Sequence, residues 1–283
     1  MAVVLLVAVA AVAHATWNIA VKRADASGPG FLWAGVCVGA LVFAPFGIGS
    51  LLAEGTDLVH WLGWAAVSGA LQVVYFLVLQ QGYRVGDISV VYPLARGSGP
   101  LLAVILAIVL LRERPGVMVL VGAAVIVAGV MIIGLAGGGS PATGKGPGIV
   151  FGLVVGVVIA VYTVWDASAV TLGHMPPVGL YWGSIMIQLL ILTGPAIRRW
   201  GQTRQVARTH WAAVLAFGVL SPLAYILILI ALQSAPVSVI APAREVSVVL
   251  VGLAGWLLFR EPNPAQRLVG AVVVLAGVGL LAL

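Results

Sequence analysis

Charge is what this chain has least of. Of its 283 residues only 8% are Asp, Glu, Lys or Arg, while 62% are hydrophobic. A soluble domain covers its surface with roughly a quarter charged residues, so bulk water is excluded as the main solvent. Cysteine is nearly missing as well: Cys37 stands alone, which excludes an intrachain disulfide or a multi-cysteine metal site and reads as a small buried hydrophobe. No H-E-x-x-H or similar ligand spacing occurs, and no P-loop lysine follows the glycines, so neither a metal nor a nucleotide cofactor is expected. Energy for any work then has to come from a gradient. There is no basic run either. The 14 Lys and Arg against 8 Asp and Glu sit singly or in small groups between apolar segments, a pattern of membrane topology and not of nucleic-acid binding.

What the chain has is apolar length. About 30 Å of hydrocarbon is crossed at about 1.5 Å per residue, so a spanning helix needs about 20 apolar residues. Such runs fall near residues 2–21, 30–51, 61–82, 88–111 and 116–136, and again near 148–170, 178–197, 211–232, 236–259 and 265–283. Short loops join them. The first run ends in Ala13-His14-Ala15 and imitates a cleavable leader, but it lacks a basic n-region and matches an internal segment, so it is expected to be retained. Basic residues outside the hydrocarbon number ten in odd-numbered loops, four of them between Arg198 and Arg208, against only Arg112 and Arg114 in even-numbered ones. Basic loops stay cytoplasmic, which predicts both termini outside.

Laid on itself with a shift of 148, the chain superposes its rarest residues. Trp17-Asn18 falls on Trp165-Asp166, His14 on Tyr162, Arg96 on Arg244, Arg112-Glu113 on Arg260-Glu261, and Gly122 and Gly129 on Gly270 and Gly277. Matches between leucines would carry no information here, but two arginine sites and a tryptophan at one constant shift do. A Gly/Ser/Pro-rich stretch from Gly137 towards Lys145 separates the copies. We therefore read residues 1–139 as a first five-helix repeat, 140–146 as a linker and 147–283 as a second repeat. Five crossings is an odd number, so the second copy enters from the opposite side. The predicted fold is an all-α polytopic membrane protein, ten transmembrane helices as two inverted five-helix repeats around a central cavity. That architecture is typical of secondary transporters.

These features resemble the drug/metabolite transporter superfamily, in particular its EamA-domain families. The resemblance covers the whole chain. It rests on the two five-helix copies, on His14-Ala15-Thr16-Trp17-Asn18 with Lys22, on Gly86-Asp87-Ile88-Ser89 leading into Val91-Tyr92-Pro93-Leu94-Ala95-Arg96-Gly97, and on the Arg-Glu pairs closing the fourth and ninth segments. The His-Ala-x-Trp-Asn element is similar to a branch associated with phosphonate utilisation. The resemblance implies secondary transport of small metabolites, often efflux, in a bacterial plasma (inner) membrane, through a cavity built by segments 1, 3, 4, 6, 8 and 9. The second copy departs from the first at Asp87, opposite Ala235, and its Pro242 falls opposite Leu94 instead of Pro93.

Chemistry inside the membrane is carried by few residues. Arg96 and Arg244 each lie about eight residues into a segment, roughly 12 Å from its start. An arginine there costs at least about 2.5–3.5 kcal/mol and cannot shed its proton, so it faces a partner or a wet cavity. One reading binds an anionic group such as a carboxylate or phosphonate; the other is a structural pair, Arg244 with Glu245, or Arg96 with a carbonyl. Glu245 and Asp166 are the two acids placed within segments, and a carboxyl in a low-dielectric site can exchange a proton during a transport cycle. Glu245 is the better candidate for proton coupling, with neutralising Arg244 as its other role; Asp166, near its segment's end, is equally readable as half of a solvated ion pair. His14 should lie at the depth of Arg96. With Trp17, Asn18, Tyr92, Tyr162 and Trp165 it completes a candidate substrate-binding set; Trp33, Trp61, Trp64, Trp182, Trp200 and Trp211 fit interfacial belts. Pro93, Pro100 and Pro242 mark helices that break or kink beside a cavity. Gly35-Gly39 and Gly148, Gly152 and Gly156 are spaced for close helix packing.

The leading reading is a proton- or gradient-coupled secondary active transporter for a small anionic or zwitterionic metabolite, working by alternating access. A flippase for a phosphorylated lipid is one alternative, favoured by an opening towards the bilayer. An intramembrane enzyme pairing His14 with Glu245 or Asp166 is another, and requires that pair at about 2.6–3.2 Å.

Overall fold

The computed structural model describes residues 1–24, 28–86, 88–136 and 145–281. Twelve helices occupy them: α1 (Ala2–Ala24), α2 (Pro29–Ala53), α3 (Leu58–Val85), α4 (Ile88–Leu110), α5 (Val117–Leu135), α6 (Lys145–Thr171), α7 (Pro177–Arg198), α8 (Trp200–Thr209), α9 (Trp211–Leu232), α10 (Val237–Ala243), α11 (Val246–Phe259) and α12 (Pro264–Leu281). Ten stretches are long and apolar enough to cross a membrane, and the ninth, Val237–Phe259, comprises α10 and α11. Asp87 and most of the glycine-rich linker lie outside the described residues.

The segment from Arg198 to Arg208, read above as a loop, is helical apart from Arg199: Arg198 ends α7, and α8 begins at Trp200. Ten residues with three polar side chains in the first five give no apolar run to notice. Its order comes from packing: Thr203 is buried and its hydroxyl donates to the Ala196 carbonyl at 3.1 Å, while Arg204 and Arg208 stay exposed. Thr203 sits so close to α2 that a Cβ on Gly30 would fall 2.9 Å from its hydroxyl.

The 148-residue shift has a counterpart in three dimensions. Arg112 and Arg260 both adopt left-handed backbone, φ 56° and 53°, directly after the fourth and ninth spans. Helices α5 and α12 pack along each other. A Cβ on Gly122 would lie 2.8 Å from the Gly277 carbonyl oxygen, and one on Gly129 the same distance from that of Gly270. Because Gly122 corresponds to Gly270 and Gly129 to Gly277, these two contacts are images of one another across a pseudo-twofold axis. Small residues let the backbones approach closely, where van der Waals packing is the main attraction between helices in lipid. Gly129→Leu has to force α5 and α12 apart, and is expected to lower the melting temperature of the purified protein markedly; Gly279→Leu, on open surface of α12, should leave it unchanged.

Similar close approaches hold α6 on α4, where a Cβ on Gly152 would meet Leu94 at 2.8 Å and one on Gly156 would overlap Ser98, and α2 on α9, where Gly35 adjoins Phe217. The tryptophans assigned to interfacial belts divide. Trp200 and Trp211 are exposed. The others tie helices together: Trp33 donates to Thr193 at 3.0 Å, Trp61 to the Gly179 carbonyl at 3.0 Å and Trp182 to the Ala40 carbonyl at 3.1 Å. Trp64 has its indole nitrogen 3.2 Å from His60. Cys37 is half-buried on α2 and not fully enclosed.

Proline has different outcomes in the two copies. Helix α4 runs unbroken through Pro93 and Pro100. The ninth span is interrupted two residues after Pro242, at Arg244-Glu245, where the Glu245 N–H turns back to the Pro242 carbonyl at 2.9 Å. That interruption positions the site.

Candidate functional site

A cavity of about 380 Å³ lies between the two copies. Spans 1, 3, 4, 6, 8 and 9 contribute to its wall, joined by Phe31 from α2 and Tyr181 from α7. Its lining reaches Val21, Gly28 and Tyr83, at the end of the bundle bearing the odd-numbered loops. Towards the opposite end it extends only to Tyr181 and Ile228, about one turn short of the helix ends.

At mid-depth four charged or titratable side chains meet. Arg244 and Glu245 come from the turn between α10 and α11, and Arg96 from the third turn of α4. Glu245 Oε1 lies 3.6 Å from Arg96 Nη1 and 3.5 Å from Arg244 Nε, and the carboxylate is 1% exposed. Arg96 also donates through Nη2 to His14 Nε2 at 3.0 Å, so the expected match in depth between His14 and Arg96 is a direct contact. His14, considered above as half of a catalytic pair with Glu245 or Asp166, has Arg96 as its partner instead. Both arginines border the cavity, with side chains 15% and 12% exposed. Two guanidiniums share one carboxylate, leaving a surplus of one positive charge at the cavity wall.

Aromatic rings complete the wall. Tyr92 lies under the Arg96 guanidinium at 5.8 Å. Trp17 stands edge-on to His14 at 5.0 Å and to Phe217 at 5.2 Å, and its indole N–H is buried without a partner among the described residues. Tyr162 lies 6.0 Å from both Tyr75 and Tyr225. Asn18 borders the cavity while its amide donates to the His14 carbonyl at 2.7 Å.

Two candidates lie elsewhere. Trp165 is outside the cavity lining, its ring tilted by 49° against that of Trp64 at 4.5 Å and its indole N–H donating to that residue's carbonyl at 3.1 Å. Asp166 is fully buried, which corrects the reading of a solvated ion pair. Its Oδ2 accepts from the Tyr225 hydroxyl at 2.7 Å; among the described residues its Oδ1 has no hydrogen-bond partner and no basic side chain is within ion-pair distance. Tyr225 itself lines the cavity, so one hydroxyl separates Asp166 from it. Beside this acid runs a buried polar chain: Gln188 donates to Gln72 at 3.1 Å, Gln72 to Ser68 at 3.2 Å, and Ser68 to Ser184 at 3.3 Å.

Gln72, Tyr75, Tyr83, Tyr181 and Tyr225 were not singled out from the sequence. For α3 a signal existed: Gln72, Tyr75 or Phe76, Leu79 or Gln80, and Tyr83 recur at three- and four-residue steps, a stripe of polar and aromatic groups along one helix face. Tyr181 and Tyr225 are isolated in apolar surroundings and show no such pattern.

A ten-span bundle of inverted copies around a central cavity is the architecture of a membrane carrier. The model of the EamA-like transporter family matches residues 1–135 and 146–283, and the chain belongs to that family. It is thereby a membrane transporter of the drug/metabolite type. The match extends to the superfamily resemblance noted from the sequence, not to its phosphonate-associated branch. One solved crystal structure, described only as that of a protein, superposes with a TM-score of 0.77 over 99% of this chain and 98% of its own at 19% identity, which shows the fold alone. No curated protein matches the chain significantly.

Proposed function

We propose that the protein is a secondary active carrier for a small solute bearing one negative charge, either a monoanion or the acidic end of a zwitterion, and that it works by alternating access between two copies, residues 1–139 and 147–283, with both termini outside in a bacterial plasma membrane. The observation that carries the reading is the Arg96–Glu245–Arg244 cluster on the cavity wall: its single surplus charge calls for one anionic group. Trp17 and Tyr92 supply apolar faces beside it, and the unpartnered Trp17 N–H one further donor. In a water-poor cavity a charge-assisted hydrogen bond to a guanidinium is about twice as strong as a neutral one.

A thermal-shift panel of amino acids, organic acids, phosphonates and neutral sugars tests the binding reading on wild type, Arg96→Ala and Arg244→Ala. Anionic or zwitterionic compounds should stabilise the wild type, and either substitution should weaken their binding about a hundredfold or more, as loss of one partner of a buried charged contact does. Binding of neutral compounds that survives both substitutions would make the arginines structural and the anion site wrong.

The coupling ion we assign is a proton, and its site Asp166, not Glu245. Glu245 already serves two arginines as their countercharge, whereas Asp166 has no cation beside it among the described residues and reaches the cavity through Tyr225.

A further inference from the structure

The two copies carry the same acid at the end of the same span, yet the two acids are used differently. Glu113 follows α4. Its carboxylate reaches the start of the ninth span, accepting from the Val237 N–H at 2.7 Å through Oε1 and from the Ser238 N–H at 3.0 Å through Oε2. Those amides belong to the first turn of α10, whose N–H groups have no partner within the helix. Helix α10 packs chiefly on α4 and α5 and is buried, Val237 at 2% and Ser238 at 0% exposure, so the ninth span fills the end of the bundle bearing the even-numbered loops.

Glu261 is the repeat partner of Glu113. By the same shift, Val237 and Ser238 correspond to Ser89 and Val90 at the start of α4. Glu261 is turned away from that helix: Oε1 is paired with Lys22 at the end of α1, and Oε2 with Arg267 of α12 at 2.8 Å. Lys22 also lies 4.8 Å from the ring of Phe259. The cavity lining comes nearer the helix ends on this face, the one bearing the odd-numbered loops; near its start α4 lies back against α6, where a Cβ on Gly152 would fall 3.1 Å from the Val91 carbonyl oxygen, and the end of α3 adjoins α6 too, with Gly86 against Gly148 and Gly82 close to Phe151. The shift maps Lys22 and Arg267 onto Val170 and Val119, so the first copy has no basic residue at the positions corresponding to those that hold Glu261.

We infer that Glu113 and Glu261 are the gating residues of the transport cycle: Glu113 bound to the first turn of the ninth span closes one face, and Glu261, held by Lys22 and Arg267, is the same latch in its released form on the other. Exchanging the conformations of two inverted copies turns one face's arrangement into the other's. In the second state Glu261 leaves Lys22 and accepts from the Ser89 and Val90 amides, while Glu113 lets go of α10. Each latch places a carboxylate at the positive end of a helix, a favourable contact that breaks without leaving the acid buried, because on both faces it returns towards solvent. Lys22 and Arg267 bias the resting protein towards the conformer with the odd-numbered face open. The inference rests on the carrier reading for its cycle but names contacts that are tested without any solute.

The test is double electron–electron resonance on full-length protein in nanodiscs, in a Cys37→Ser background. Spin labels at Arg114 and Ser234 report the even-numbered face, and labels at Arg84 and Pro262 the odd-numbered face; all four positions are exposed. The unaltered latches should give a short distance on the first pair and a long one on the second. Glu113→Ala should move the population towards a long first and short second distance, by about tenfold in the ratio, the change expected from losing charge-assisted hydrogen bonds. Lys22→Gln removes one of the two cations that hold Glu261 without touching Glu113 and should move both pairs the same way, so it decides the matter if Glu113→Ala does not fold. Unchanged distances in the folded variants overturn the inference. Solute binding with unmoved distances means that the latches fail and the carrier stands, while moved distances with no solute bound in the panel mean the reverse.

Discussion

Glu245→Gln is expected to be more destabilising than removal of either arginine it serves. The wild-type cluster is two cations and one anion at the wall of a small cavity, with Glu245 1% exposed. Arg96→Gln leaves Glu245 still paired with Arg244. Glu245→Gln leaves two guanidiniums facing each other with no anion between them, and an arginine cannot relieve that by losing its proton. Breaking a buried pair by removing one partner costs on the order of 3–5 kcal/mol. The melting temperature of purified protein should fall accordingly, and the double variant Arg96→Gln/Glu245→Gln should recover part of the loss, because neighbouring charges are not additive. An anionic solute that fits the site should rescue the single variant more than it stabilises wild type. Wild-type stability in Glu245→Gln would mean that water in the cavity already screens the two arginines and that Glu245 is no clamp.

Asp166→Asn is expected to abolish gradient-driven accumulation while leaving solute exchange intact. Asp166 is fully buried, and a bare carboxylate there, without an adjacent cation, would cost several kcal/mol. The groups around it are Tyr225 from α9, Ser68 and Gln72 from α3, Tyr181 from α7 and Tyr162 on its own helix, with Arg244 acting from across the cavity. None is a cation in contact, and the smallest cation that completes the site is a proton. Asparagine keeps the shape and one acceptor for the Tyr225 hydroxyl but cannot carry that proton. In proteoliposomes with an imposed pH difference, net uptake by the variant should fall to the level seen without a gradient, at least about tenfold, while exchange of labelled for unlabelled solute continues. Tyr225→Phe should give a partial loss, since it removes the hydroxyl between Asp166 and the cavity. Full gradient-driven uptake in Asp166→Asn would rule this acid out as the coupling site.

The contrast between these two acids illustrates what was legible beforehand. From composition both were carboxyls within apolar segments, and Glu245 looked the better proton carrier because Asp166 lay nearer a segment end. Depth along a helix is readable from the chain at 1.5 Å per residue, and that reasoning brought His14 to the level of Arg96, where the structure has them 3.0 Å apart. Rotation about the helix axis is not readable in the same way. In water an amphipathic stripe tells which face is buried. In a bilayer the lipid-facing and protein-facing sides are both apolar, so nothing in the pattern turned Trp165 towards Trp64 and away from the cavity, or brought Tyr225 against Asp166. Proline was similarly ambiguous: Pro93 and Pro100 left α4 continuous, whereas the span containing Pro242 opened at Arg244-Glu245.

The chain by itself determined the solvent, the number of crossings and the internal duplication. Hydrocarbon thickness dictates segment length, and rare residues such as Arg96 and Arg244, or the pairs Arg112-Glu113 and Arg260-Glu261, stand out at one constant shift against an apolar background. Tertiary structure alone decided which charges pair, since Arg96 and Glu245 are 149 positions apart and meet only when α4 packs beside the broken ninth span. It also decided that two identical Arg-Glu pairs take different partners, Glu113 the amides of α10 and Glu261 the cations Lys22 and Arg267. A repeat encodes equivalent positions; two copies whose equivalent acids take different partners are in unequal conformations, and that inequality lies in packing, where no residue pattern records it.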